Sequence, residues 1–224
     1  ETGAVVCAGT AFVVRRQALD QVGGFVEAAL SEDYVTGIAL REQGWKLLYL
    51  QQKLSAGLAA ESMADFVRQR QRWANGTLQS LRLPQGPLQA RGLSLGQRLA
   101  YLEGVVHWLN NLPRLVLMLM PLSYGLLGIT PILLDQQSII KLMLPLWGTV
   151  LLSIGWLNRH SRSALLTELT SWVLTVPLVV TLISHVLGSS MGFRVTPKHR
   201  HRSQGGWAWF LALPLILLSL FKLA

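Results

Sequence analysis

Residues 62–81 read Ser-Met-Ala-Asp-Phe-Val-Arg-Gln-Arg-Gln-Arg-Trp-Ala-Asn-Gly-Thr-Leu-Gln-Ser-Leu. Ser62 and Asp65, three residues apart, form a pair like a capping box, and such a pair commonly begins a helix. We therefore predict one helix across this stretch. Pro84 and Pro87 follow it and break the chain.

Three side chains of this helix have the chemistry of a binding site. Gln69, Arg72 and Trp73 occupy positions i, i+3 and i+4, so an amide, a guanidinium and an indole share one face. An indole stacks on a pyranose ring, and a guanidinium binds a diphosphate through two hydrogen bonds. This face therefore suits a sugar and its phosphates. The alternative is a basic surface that contacts lipid headgroups.

The composition indicates a membrane protein. Hydrophobic residues make up 51% of the 224-residue chain, the mean hydropathy is +0.39 and the net charge is +9. Apolar spans flanked by basic loops explain these values better than nucleic-acid binding, since no nucleic-acid module is recognisable. The single cysteine, Cys7, rules out an internal disulfide framework. We expect no signal peptide at Glu1, and a chain of this length is expected to be a fragment of a larger enzyme.

The first part of the chain predicts an α/β domain. Residues 5–14 form an apolar run typical of a buried strand, and a short amphipathic helix through Ala18 follows. Ser31 is a suitable cap for a second helix, whose buried face includes Val35, and residues 46–50 have the pattern of another strand. Strand, helix, helix and strand in this order indicate an α/β fold.

The rest of the chain predicts membrane helices. The stretch 115–134 carries no charge, which matches the roughly 20 residues that cross a bilayer. If 163–187 also crossed, the basic loops before and after it would lie on opposite sides, against the positive-inside tendency. We therefore predict an α/β domain at 1–92 and a membrane domain at 93–224, with an interfacial helix at 93–111, transmembrane helices at 113–134, 139–157 and 207–224, and an interfacial or re-entrant segment at 163–187.

An acidic pair, Glu32 and Asp33, stands at the predicted start of the second helix. One interpretation is an ordinary acidic first turn, because helix N-termini favour negative charge. In the other, Asp33 is a general base that deprotonates an attacking sugar hydroxyl, and the helix dipole keeps its carboxylate ionised. The pair alone does not decide between them.

Taken in order, these motifs resemble those of bacterial cellulose synthase catalytic subunits and other processive family 2 glycosyltransferases. The similarity extends from the first predicted strand almost to the last predicted span. The matching segments are Cys7 with Gly9-Thr10, Gly23-Gly24-Phe25, Ser31-Glu32-Asp33, Gln69-Arg70-Gln71-Arg72-Trp73 and Phe193-Arg194-Val195-Thr196-Pro197-Lys198.

The resemblance implies a partial GT-A-like domain, interfacial amphipathic helices and about three transmembrane helices. It implies a gating-type loop at 191–206, for which a basic juxtamembrane segment is the alternative. Pro197 and His199 depart from the family pattern in that loop. The implied catalytic residues are Asp33 and Glu32; the implied acceptor contacts are Trp73, Gln69 and Cys7; the implied diphosphate or nucleotide contacts are Arg72, Phe193, Val195, Thr196 and Lys198.

The resemblance also implies partners. Mg²⁺ or Mn²⁺ is expected with ligands upstream of this chain, because the chain offers no clustered carboxylates besides Glu32 and Asp33. UDP-glucose, a growing β-glucan and membrane lipid are the expected partners. A periplasmic accessory subunit and cyclic-di-GMP, bound by a domain outside the chain, belong to the same pattern. The expected location is the bacterial inner membrane, as a multi-pass protein with its catalytic part in the cytoplasm.

The resemblance therefore implies transfer of glucose from UDP-glucose to the 4-hydroxyl of a growing β-1,4-glucan, by an enzyme of which this fragment alone is expected to be inactive. A related synthase of mannan, mixed-linkage glucan or hyaluronan-like polymer is the first alternative. A non-catalytic membrane transporter or scaffold is the second.

Overall fold

A computed structural model describes residues 2–7, 9, 11–50, 52, 54–60, 62–130, 133, 135–157 and 163–188. The described part forms two compact units, one of residues up to 111 together with those from 177 onward, the other of residues 112–176. Its helices are α1 (Arg16–Gln21), α2 (Glu32–Glu42), α3 (Met63–Gln79), a short 3-10 helix (Ser80–Arg82), α4 (Leu95–Leu109), α5 (Asn111–Leu127), α6 (Gln136–Leu157) and α7 (Ala164–Val186).

The strands predicted at 5–14 and 46–50 are absent from the described residues of these two segments. A strand needs the backbone of a neighbouring strand to satisfy its amides and carbonyls. Here the two segments are not paired, and Leu48, Tyr49 and Leu50 are exposed. The strand assignment was therefore wrong for this chain. The GT-A-like fold stays a prediction.

Helix α2 is the centre of the first unit. Val35, Ile38 and Ala39 are buried, as their spacing predicts. On one side, residues 5–7 cross the helix so closely at Gly37 that a Cβ there would lie 3.1 Å from the Cys7 nitrogen. A larger residue at this position would push the N-terminal segment off the helix.

Helix α4 also packs against α2, next to the N-terminal segment. The Tyr34 hydroxyl donates to the Tyr101 carbonyl at 2.6 Å, and the Tyr101 hydroxyl donates to the Val5 carbonyl at 3.1 Å. Ser94 and Gln97 form a full capping box at the start of α4. The sequence-predicted helix at 93–111 is thus present. Its outward residues include the exposed apolar side chains Leu95, Leu99, Val106 and Leu109.

Helix α3 covers most of the predicted stretch 62–81. Its first turn is capped as expected, because the Ser62 hydroxyl accepts from the Asp65 amide at 3.1 Å. The chain then tightens into the 3-10 helix before the predicted break.

In the second unit, α5 is shorter than the transmembrane helix predicted at 113–134, because it ends at Leu127. Gly128 takes a φ of +64°, and its amide donates to the Tyr124 carbonyl at 3.0 Å. A residue in this left-handed conformation terminates a helix.

Two helices, Gln137–Leu157 and Ala164–Val186, are long and apolar enough to cross a membrane by length and composition. The second is one continuous helix despite Pro177. The interfacial or re-entrant placement of 163–187 stays a prediction. The predicted gating-type loop at 191–206 and the helix at 207–224 lie outside the described residues.

One ion pair joins two helices within the second unit. Arg114 of α5 lies 3.3 Å from Oε1 of Glu168 on α7, and the side chains are 20% and 15% exposed. The guanidinium also lies over the Trp172 ring, 5.6 Å from its centroid. Burial of a charge is costly without a partner, so this pair accounts for an acidic residue within an apolar helix.

Candidate active site

The acidic motif and the tryptophan motif contact each other directly. The hydroxyl of Ser31, at the start of α2, donates to the carbonyl of Trp73 in α3 at 3.5 Å. The amide of Leu30 donates to Oε1 of Gln79 at 2.9 Å. Two segments that are 42 residues apart in sequence therefore meet at one place.

This contact corrects the capping role predicted for Ser31. Ser31 stands at the N-cap position of α2, but its side chain makes no capping hydrogen bond. The hydroxyl is directed to the other helix instead. The close approach depends on Gly76, where a Cβ would lie 2.5 Å from the Ser31 nitrogen and 2.9 Å from the Leu30 carbonyl carbon.

Asp33 lies two residues beyond this contact, in a half-buried position. Burial raises the pKa of its carboxyl above the ordinary 3.8. The amide of Tyr34, which donates to Oδ1 at 2.8 Å, and the backbone of Gly9 lower the pKa, whereas the negative charge of Glu32 raises it. The helix N-terminus was predicted to keep the Asp33 carboxylate ionised, and burial acts in the opposite direction because it favours the neutral form. A carboxylate with a raised pKa is a stronger base.

Cys7 lies on the same side of α2 as Asp33. The thiol is buried beside Ala18 and Leu40. Burial and, secondarily, the charge of Asp33 raise the pKa of Cys7 to about 11. A neutral thiol is a poor nucleophile, so its position fits the wall of the site rather than covalent chemistry.

The exposed face of α3 carries an aromatic and cationic stack that the sequence analysis missed. The Arg70 guanidinium lies 4.8 Å from the centroid of the Phe66 ring and 4.6 Å from that of the Trp73 ring. The spacing of positions 66, 70 and 73, which puts them on one helical face, was the available signal. The indole is 37% exposed, so part of it is accessible to a ligand.

The structure brings some predicted site residues together and leaves others apart. Cys7 and Asp33 interact electrostatically, and Trp73 is linked to the acidic motif through its backbone. Gln69 and Arg72 are half-buried on α3. The implied nucleotide contacts Phe193, Val195, Thr196 and Lys198 lie outside the described residues.

The described residues do not supply a divalent-metal site. No group of three or more His, Cys, Asp or Glu side chains clusters in the described ranges. The described groups that act on the Asp33 carboxylate are backbone amides, the Cys7 thiol and the neighbouring Glu32. Mg²⁺ and Mn²⁺ prefer several oxygen ligands, and these described groups are not such a set. A metal held by residues outside this chain stays a prediction.

Comparison with known proteins agrees with the motifs. Residues 2–222 match the family model for glycosyl transferase family group 2. The chain is 32% identical over 213 residues to "Cellulose synthase 1" of Komagataeibacter xylinus, covering 95% of this chain and 14% of that protein. It is 31% identical over 214 residues to "Cellulose synthase catalytic subunit [UDP-forming]" of Pseudomonas fluorescens, covering 94% of this chain and 28% of that protein.

It is also 36% identical over 194 residues to "Cellulose synthase 2" of Novacetimonas hansenii, covering 85% of this chain and 12% of that protein. The chain thus spans between about an eighth and a quarter of the length of these relatives. The predicted resemblance to cellulose synthase catalytic subunits is confirmed. With a family match across nearly all of its residues and an acidic motif folded against a tryptophan motif, the chain belongs to glycosyltransferase family 2.

Proposed function

We propose that the complete protein is a processive, inverting β-glycosyltransferase of the bacterial inner membrane, which transfers glucose from UDP-glucose to the 4-hydroxyl of a growing β-1,4-glucan. The observation that carries this proposal is the contact between Ser31 and Trp73, because it places a half-buried carboxylate and an exposed indole on adjoining segments. A base and a sugar platform must be neighbours if the sugar hydroxyl is to be activated where it is bound.

In this proposal Asp33 is the general base. Its carboxylate removes the proton from the 4-hydroxyl as the oxygen attacks the anomeric carbon of the donor and UDP leaves. The raised pKa favours this step, since proton transfer is most effective when the pKa of the base approaches the working pH. Glu32, whose charge contributes to that pKa, tunes the base.

Trp73 is the proposed platform for the last sugar of the polymer. Stacking against a pyranose leaves the ring hydroxyls free, so one of them can point to Asp33. Arg70, between Phe66 and Trp73, holds the indole from its other side. We assign Gln69 to hydrogen bonding with the acceptor and Arg72 to the diphosphate. Phe193, Val195, Thr196 and Lys198 are proposed to close over the nucleotide.

Membrane passage of the product is the remaining part of the proposal. The apolar helices α6 and α7 support a membrane location, and the exposed apolar residues of α4 support contact with the bilayer surface. The polymer would leave the site through a channel that such helices line.

The test is product analysis with single donors. Membrane vesicles containing the complete protein are given UDP-glucose or another UDP- or GDP-sugar, and the polymer is identified by linkage analysis. We expect a 4-linked glucan from UDP-glucose. Trp73→Ala should abolish it, whereas Trp147→Ala, at a comparably exposed tryptophan of α6, should not.

The other outcomes are equally clear. If the product were mannan, mixed-linkage glucan or a hyaluronan-like polymer, the assignment as a polymerase would stand and the assigned sugar would change. Absence of polymer with every donor would reject the synthase and favour a non-catalytic membrane role.

A further inference from the structure

A ladder of polar contacts joins α3 to the end of α7 within the first unit. The side-chain amide nitrogen of Gln71 donates to the Pro177 carbonyl and to the Thr181 hydroxyl oxygen, both at 3.1 Å. One turn farther along each helix, Oδ1 of Asn75 lies 2.8 Å from Nδ1 of His185. We call these five residues the polar seam.

The geometry of the seam is regular. Residues 71 and 75 are four apart on α3, and residues 177, 181 and 185 are four apart on α7, so each set forms one stripe along its helix. Thr181 is 1% exposed and Asn75 is 2% exposed. Buried polar atoms cost free energy unless they are paired, so sliding one helix along the other would remove the partners of the Gln71 amide nitrogen and of Asn75 Oδ1. The seam therefore fixes the register of α3 on α7.

The opposite face of α3 carries the proposed acceptor platform. At roughly 100° of rotation per residue, Gln71 and Trp73 point about 160° apart around the helix. The stack of Phe66, Arg70 and Trp73 thus lies away from α7, while the seam lies against it. Helix α3 is therefore anchored to α7 on one face and carries the proposed platform on another.

We propose that Gln71 is a positioning residue, and that the polar seam holds α3 on α7 so that the Trp73 indole keeps its place beneath the polymer end. The inference rests on the proposed function and deepens it. Gln71 stands between the two arginines of the motif, at a position for which the resemblance assigned no role. It acts through the helix and not by touching substrate. Each addition of a sugar pulls on the bound polymer, and a helix fixed in register resists that pull.

The test is a double-mutant cycle in membrane vesicles that contain the complete protein. Gln71→Leu removes the amide at similar size, and Thr181→Val removes the hydroxyl. Thr181→Ser keeps the hydroxyl and should behave as the unmodified protein. Thr170→Val is the matched control, because among the described residues the Thr170 hydroxyl bonds to the Leu166 and Thr167 carbonyls of its own helix.

Three quantities are measured: the polymer chain length, the rate of synthesis and the KM for UDP-glucose. We expect Gln71→Leu and Thr181→Val each to shorten the polymer and lower the rate about five- to tenfold, the effect of one buried hydrogen bond, with KM unchanged. The double variant should be no worse than the more severe single variant, because both remove the same contact.

A cycle of thermal unfolding in detergent, which requires no substrate, accompanies the rate measurements. If the two substitutions, Gln71→Leu and Thr181→Val, were coupled in their effects on unfolding while polymer chain length and rate stayed unchanged, the seam would have a structural role alone. That result would overturn the positioning role. Additive losses would show that Gln71 does not act through Thr181, and would also overturn it. Failure of the proposed function is distinguishable, because the unmodified protein would then make no polymer while unfolding coupling persisted.

Discussion

Gly76→Ala tests the close contact between the acidic motif and the tryptophan motif. A Cβ at residue 76 would meet the Ser31 hydroxyl, the Ser31 nitrogen at 2.5 Å and the Leu30 carbonyl carbon at 2.9 Å. Two of these atoms belong to backbone, so no side-chain rotation relieves the clash. We expect α3 to move away from the start of α2, which carries Trp73 away from Asp33.

The magnitude follows from two opposing terms. Overpacking of this kind costs about 1–3 kcal/mol, while alanine in place of glycine within a helix returns up to about 1 kcal/mol. The difference between these terms is a net loss of up to about 2 kcal/mol. Gly148→Ala in α6 is the matched control, since no atom of the described residues lies within 4 Å of a Cβ at this position and the helical gain remains.

The assay combines polymer synthesis from labelled UDP-glucose with thermal unfolding in detergent. We expect Gly76→Ala to unfold at a lower temperature than the unmodified protein. Its rate of polymer synthesis should fall at least tenfold, which corresponds to about 1.4 kcal/mol in the activation barrier. Gly148→Ala should unfold at the same temperature as the unmodified protein, or at a higher one, and should remain active. If Gly76→Ala matched Gly148→Ala in both measurements, the contact between the motifs would not be required.

Four further predictions concern charged residues. Burial raises the folded-state pKa of Asp33, so the contribution of Asp33 to stability falls as pH rises from its unfolded-state pKa to its folded-state pKa. At neutral pH, Asp33→Asn should therefore unfold at the same temperature as the unmodified protein or at a higher one. In acid, where Asp33 is protonated, this advantage should disappear. Polymer synthesis should fall on acidification at a pH above the ordinary aspartate range, which a pH–rate profile checks. Glu168→Leu should strand Arg114 and destabilise by about 3 kcal/mol in thermal unfolding, whereas Asp20→Asn, in an exposed pair, should change stability by less than about 1 kcal/mol. Arg70→Gln should lower the rate about three- to fivefold by removing cation–π contacts, with the KM for UDP-glucose unchanged.

Local signals in the sequence predicted the helices well. The Ser62–Asp65 pair marked the start of α3, and the buried face of α2 followed from the spacing of Val35 and Ile38. Both depend on contacts within a few residues. The strand predicted at 46–50 was wrong, because a strand also requires a partner that is distant in sequence and local patterns do not report it.

The sequence named candidate site residues but not their contacts. Motif order proposed Asp33 and Trp73, and these assignments stay predictions, whereas the hydroxyl of Ser31 was expected to cap its own helix. The structure directs it to Trp73, since the glycine at position 76 allows the two backbones to approach. The partners of Gln71 are more than 100 residues away in sequence, so no local pattern could have indicated them.

Asp33→Asn measures the central claim most directly. Polymer synthesis and UDP-glucose binding are determined for the unmodified and variant complete proteins in the same vesicles. The change preserves shape and removes the proton-accepting charge, so we expect synthesis to be abolished while UDP-glucose still binds. Substantial polymer from Asp33→Asn would contradict the assignment of Asp33 as the base.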